Sequence, residues 1–236
     1  MTFSFKTSTR TMKTLKTNLK LFIASSLFLT SCLTAKKVDK QVAKQYGEIS
    51  QPQKKKSNEN IFITSSLITS DTKISTSETK TSHVLPLIIY NQWDYKNTCT
   101  LNPQIPINNF ISTVQTAANK GLRDKISGQK LELSVDKIPN IFAIDDKAHL
   151  IFFGYAYGWD NVSIMSDKVD MVVTYKLSKD GLETKKGTIT IPYIYDKQKL
   201  GMFKSWKKAT TEFLEQYDSN ITEMSKLFVQ KLATEI

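Results

Sequence analysis

Hydrophobic and polar positions divide this chain into three textures. An apolar or small-residue run from Leu21 to Leu29 follows a basic segment, a polar stretch extends from Leu33 to about His83, and ordered apolar patterns fill the remainder. In that remainder, Val84 to Trp93 predicts a strand, confined by Pro86 to an edge or an irregular start. Ile107, Phe110, Ile111, Val114, Ala118 and Leu122 recur at three and four residues, which predicts an amphipathic helix after Pro106 that ends near Gly121. Leu131, Leu133 and Val135 alternate, as do Val169, Met171, Val173, Tyr175 and Leu177. The second series leads through Asp180-Gly181 into Ile189, Ile191 and Tyr193, the pattern of a hairpin. From about Phe203 to Leu232, Trp206, Ala209, Phe213, Tyr217, Ile221, Met224, Phe228 and Leu232 form one stripe, either on one long helix or on two joined near Asp218-Ser219-Asn220.

This order of elements predicts an α+β domain over 84–236, with a mostly antiparallel sheet and its helices packed on one face. The polar stretch, 32–83, reads as a flexible tether. Its Lys, Gln, Ser, Thr and Asn content buries too little apolar surface to offset the entropy of ordering. A short helix from Lys36 to Tyr46 and a strand at Ile61–Ile63 are the two elements it could form. About 50 flexible residues would give an rms reach of roughly 35 to 40 Å.

The first texture carries an address. Lysines, an apolar core of about ten residues and small residues at a cleavage point describe a secretory signal over 1–31. Met12 offers a compact alternative start, since Thr2 to Arg10 adds nothing such a signal needs. A membrane-spanning helix needs roughly 20 apolar residues, about twice what lies here. The closing residues, Leu29-Thr30-Ser31-Cys32, resemble the lipobox of bacterial lipoprotein precursors. That resemblance implies diacylglyceryl transfer to Cys32, cleavage between Ser31 and Cys32, and acylation of the new amino terminus. Cys32 is then the lipid-carrying residue, and membrane lipid is a partner through it. Residue 33 is leucine and not aspartate, which by the same resemblance favours the outer membrane, on its periplasmic face, of a Gram-negative bacterium. The element order is also similar to that of small periplasmic lipoproteins that assist transport or envelope assembly, a likeness that carries no motif residue.

Charge changes meaning once it is located. The chain has 33 basic and 22 acidic residues, net +11. Lys6, Arg10, Lys13, Lys16 and Lys20 lie in the signal, and seven lysines lie between residues 33 and 60, while the part from Ile61 onward is +2. Nucleic-acid binders concentrate positive charge on the folded surface, so that partner class is set aside. The lysines nearest the lipid face anionic headgroups or cell-wall polymers, or form a solvated linker. With Cys32 used for lipidation, Cys99 stands alone, without an internal disulfide framework, and a buried position suits it.

The candidate chemistry is sparse. Ile151 to Trp159, read as one strand, places Gly154, Ala156 and Gly158 on one face, small enough for a helix to approach closely, and Phe153, Tyr155, Tyr157 and Trp159 on the other. That aromatic row is core or interface packing, or an interaction surface for a glycan, peptide or lipid. Asp145, Asp146, His149 and Asp160 are close in sequence but poorly spaced for acid-base or metal work, and His83 lies at the tether boundary, away from the other histidine. Nucleophile-elbow, phosphate-loop and dinucleotide motifs do not occur, and no catalytic residue, cofactor or metal is assigned. The leading expectation is a non-enzymatic cell-envelope lipoprotein that acts as a binding or assembly module for an envelope protein. A lipid or glycan carrier or sensor using 151–159 is the alternative, and an unrecognised hydrolase around Asp145, Asp146 and His149 is a second.

Overall fold

The computed structural model describes residues 34–47, 60–68, 74–85, 89–118, 120–153, 155–193, 198–199 and 205–236. Ser31, Cys32 and the signal segment lie outside the described residues. Among the described residues, four helices and nine strands give an α+β fold. The helices are α1 (Ala35–Tyr46), α2 (Gln104–Ala117), α3 (Lys120–Lys125) and α4 (Trp206–Glu235). The strands are β1 (Ile61–Ser65), β2 (Ser75–Leu85), β3 (Ile89–Thr100), β4 (Lys130–Lys137), β5 (Ile141–Phe153), β6 (Tyr155–Ser166), β7 (Met171–Lys179), β8 (Leu182–Ile191) and β9 (Gln198–Lys199).

They form two sheets where the sequence predicted one. The first has the order β1-β4-β7-β8 and is antiparallel apart from the parallel pair β1 and β4. The second, β2-β3-β5-β6-β9, is antiparallel throughout. In the first sheet, alternation does what the sequence predicts: Leu131, Leu133 and Val135 on β4 and Met171, Val173, Tyr175 and Leu177 on β7 are all buried. The turn between β7 and β8 places Asp180 at φ 52° and Gly181 at φ 82°. Two successive left-handed residues make a two-residue hairpin turn that follows the natural twist of the strands, which is why Asp-Gly marks it.

Helix α4 is the central element. It is continuous for 30 residues, so Asp218-Ser219-Asn220 does not break it. Ser205 caps it by accepting a hydrogen bond from the Lys208 amide. Its buried stripe reaches α2 through Phe228 against Phe110, ring centroids 5.3 Å apart, and the five-stranded sheet through Phe213 against Phe142 at 5.2 Å. The Tyr217 hydroxyl donates to the Pro139 carbonyl at 2.5 Å. Helix α2 starts earlier than Pro106 suggested, because a proline in the first turn has no helical N–H partner to lose. The Asn102 side chain accepts from the Gln104 amide there. Leu122 belongs to the separate helix α3, since α2 ends at Ala117.

The tether expectation is corrected for its described parts. Helix α1 buries Val38 and Val42 completely and packs on α4, β2 and β3. Gln41 donates to the Thr211 hydroxyl at 2.9 Å, and the Tyr46 hydroxyl to an Asp218 carboxylate oxygen at 3.2 Å. Strand β1 pairs with β4 from Ile61 to Ser65, and β2 pairs with β3 along its whole length, from Ser75↔Thr100 to Leu85↔Tyr90. Composition misleads here for a physical reason. An edge strand is held by backbone hydrogen bonds and one neighbour, so Ser75–Leu85 needs little apolar surface of its own. The strand expected over Val84–Trp93 is likewise two strands, the end of β2 and the start of β3.

Candidate functional site

Helices α1 and α4 occupy one face of the five-stranded sheet. On that face Tyr95, Asn97, Cys99, Phe142, Ile144 and Ile164 are buried, and the Thr76 hydroxyl bonds to the Asp39 carboxylate of α1. Alternation then sends Tyr90, Gln92 and Asp94 of β3, His149 of β5, and Tyr155, Tyr157, Trp159 and Asn161 of β6 to the opposite face.

There, four rings stack across three strands. His149 and Trp159 are direct cross-strand partners, with centroids 4.8 Å apart and planes 12° from parallel. Tyr157 continues the stack beyond Trp159 at 5.7 Å, and Tyr90 flanks His149 at 6.1 Å. Offset contacts of this kind contribute about 0.5 to 1.5 kcal/mol each beyond area burial. Tyr157 is 63% exposed and Tyr155 88%, so the stack is open to solvent at its β6 end.

A polar chain lines the same face. Asn161 Nδ2 is 3.4 Å from His149 Nε2, His149 Nδ1 is 2.6 Å from the Tyr90 hydroxyl, that hydroxyl is 3.1 Å from Gln92 Oε1, and Gln92 Nε2 donates to Asp94 Oδ1 at 2.8 Å. One arrangement of protons satisfies every link. Tyr90 has a single proton and gives it to Gln92, so His149 donates from Nδ1 and accepts from Asn161 at Nε2. The ring stack and the polar chain share Tyr90 and His149, so each orients the other.

The structure corrects the nine-residue strand. Phe153 ends β5 and Tyr155 begins β6, and the two are paired in register across adjacent strands. The Phe153 side chain and all of Gly154 lie outside the described residues. Tyr155, Tyr157 and Trp159 do share one face, as alternation requires. The small residues Ala156 and Gly158 receive no helix: both are exposed, as are Val84 at 64% and Phe152 at 44%. Helical cover is concentrated at the other end of the sheet, around Phe142, Ile144 and Ile164.

The acidic residues near His149 do not converge with it. Asp145 and Asp146 are consecutive on β5 and take opposite faces; Asp145 shares the face of His149 but lies four residues, roughly 13 Å, along the strand. The Asp160 side chain lies outside the described residues. His83 falls in one cross-sheet row with Gln92, His149 and Trp159, exposed and two strands from His149. Among the described residues, no cluster of His, Cys, Asp and Glu is arranged to hold a metal ion. Sequence reasoning missed Tyr90, Gln92, Asp94 and Asn161. Their only local signal is the alternation of Tyr90, Gln92 and Asp94.

Elsewhere, burial pushes the Cys99 thiol up to about 11, with Thr76 pulling the other way, and Cys99 is a free, buried cysteine. Burial likewise raises the Asp218 carboxyl to about 6 against the opposing bond from Tyr46. An open polar depression of about 550 Å³ lies beside β4 and β7, lined by Gly128, Lys130, Glu132, Lys176 and Asp180 among others. No helix among the described residues is long and apolar enough to cross a membrane.

By its architecture the chain is an α+β protein built of two sheets around a long C-terminal helix. No family model matches it, and neither a curated protein nor a solved structure matches it significantly.

Proposed function

We propose that this protein is a non-enzymatic lipoprotein of the bacterial cell envelope, exported and held by acylated Cys32 at the periplasmic face of the outer membrane, whose aromatic sheet face binds an envelope protein. The address rests on the lipobox-like residues Leu29 to Cys32. The binding role rests on one observation, the four-ring stack of Tyr90, His149, Trp159 and Tyr157 on the face opposite α1 and α4. Aromatic residues that are rigid before contact lose little conformational entropy on binding, and they supply most of the energy at protein interfaces. A second reading, a glycan or lipid carrier, draws support from Asn161, Gln92 and Asp94, whose polar groups flank the rings.

The test joins both halves. Intact mass and membrane fractionation of the native protein are compared with Cys32→Ser, and a photo-crosslinker is placed at Tyr157 in cells. The reading expects a cleaved, acylated, membrane-bound protein, an unlipidated soluble variant, and a protein adduct from residue 157. Removal of the neighbouring ring in Trp159→Ala should then weaken partner binding by roughly thirtyfold, the scale of an interface anchor of about 2 kcal/mol. A glycan or lipid adduct in place of protein selects the second reading. Identical soluble, unacylated forms of both proteins overturn the address.

A further inference from the structure

We infer that the outer face of α1 is a membrane-docking surface, with Lys36, Lys40 and Lys44 lying on the anionic headgroups of the bilayer that Cys32 enters. The inference rests on the lipoprotein reading above and specifies how the domain sits once anchored.

Three observations carry it. The first is the angular arrangement of α1. With 3.6 residues per turn, Lys36, Lys40 and Lys44 fall within an arc of about 80°, and Val38 and Val42 lie about 180° from its centre. The two valines are fully buried against the domain, so the three lysines point directly outward, and all three are exposed. The second is the placement of the helix's single acid. Asp39 is turned inward, where its carboxylate accepts from the Thr76 hydroxyl of β2, so the outward arc carries positive charge alone. The ion pairs Lys130–Glu132 and Lys176–Glu183 lie on the four-stranded sheet, away from Lys36, Lys40 and Lys44. The third is the length of chain available. Only Leu33 and Thr34 separate Cys32 from the first helical residue, so an acylated Cys32 lies within roughly 10 Å of Ala35.

A lipid chain entering the bilayer at one end of a docked helix brings that helix to the headgroups whatever its charge. Three lysines on the outward arc then turn proximity into orientation, because each basic residue near an anionic surface is attracted and the attraction decays within a Debye length. The inward contacts at Val38, Val42, Gln41 and Tyr46 keep α1 on the protein while its other face meets lipid.

The test uses the full, processed lipoprotein reconstituted into vesicles of phosphatidylcholine alone or of phosphatidylcholine with phosphatidylglycerol. An environment-sensitive dye is attached at Ala43→Cys, beside the lysine arc, and in a second protein at Lys147→Cys on the opposite side of the sheet. Cys99 is buried and Cys32 is acylated, so the new thiol takes the label. The expected result is a several-fold loss of quenching by aqueous iodide at residue 43 in the anionic vesicles, reversed by high salt and by combined Lys36→Gln, Lys40→Gln and Lys44→Gln. Residue 147 should stay accessible throughout. Equal quenching at residue 43 in both vesicle types, with the protein still acylated and co-sedimenting, overturns the docking surface and leaves the lipid anchor intact. A protein that lacks acyl chains by mass and does not sediment with either vesicle removes the anchor, and the docking surface with it.

Discussion

A methyl group placed on Gly187 would lie 2.7 Å from both Cε1 and the hydroxyl oxygen of Tyr175, its partner across β7 and β8. The ring has nowhere to retreat, because Tyr175 is only 2% exposed. In the sequence, Lys185-Lys186-Gly187 looks like a solvated edge that discourages pairing, and the two lysines are indeed exposed on the outermost strand of their sheet. The glycine has a separate task, leaving room for a ring to lie across the strand. Gly187→Ala should lower unfolding free energy by about 1 to 3 kcal/mol, the cost of overpacking a filled site, measured as a shift of the urea midpoint at unchanged slope. In a double-mutant cycle with Tyr175→Leu, much of that loss should disappear; simple additivity would place the strain somewhere other than this pair.

At the scale of elements, the contact between α1 and α4 includes a carboxyl group, that of Asp218, held at an unusual ionisation. Burial raises Asp218 to about 6 from its ordinary 3.8, so the folded chain keeps this proton over a pH range in which the unfolded chain has lost it. The sign follows directly: the contribution to stability is full below pH 4, declines as pH rises toward 6, and remains at its lower level above that. Asp218→Asn keeps an oxygen to accept from Tyr46 and removes the titration. It should flatten the decline between pH 4 and 6.5 and gain on the order of 1 kcal/mol at pH 7.5, a figure reduced for partial solvent screening. Urea unfolding of both proteins across that range is the check, and parallel curves would assign the pH dependence to other groups.

Which elements the sequence discloses also follows from locality. The Asp180-Gly181 turn is legible because two adjacent residues determine it, and β4, β7 and α4 are legible because each carries its own period of buried side chains. Strand β2 is not, since Ser-Thr-Ser-Glu-Thr-Lys-Thr-Ser lacks such a period and is ordered by a partner that follows it in the chain. The apparent strand from Ile151 to Trp159 fails for the opposite reason. Both arms of that hairpin are rich in strand-forming aromatics, and a single glycine divides them, so composition runs smoothly across the reversal.

At the scale of the whole molecule, the two proposed surfaces lie on opposite sides of the five-stranded sheet, and the sequence disclosed each in part. Tyr155, Tyr157 and Trp159 were visible as one strand's alternation, but the stack that gives them orientation includes Tyr90, whose contact with His149 spans 59 residues and exists only through the β3–β5 register. The lysines of α1 were visible as charge, while their common direction became legible only once Val38 and Val42 were seen to be buried. With just Leu33 and Thr34 between Cys32 and α1, the proposed anchoring leaves the domain almost no vertical freedom. Its rings, on the far side of the sheet from α1, would be carried at a nearly constant height and turned away from the lipid. Encounter with a partner in the same membrane then becomes a search in two dimensions, at a local concentration fixed by surface density, and only a surface presented at that height can be met.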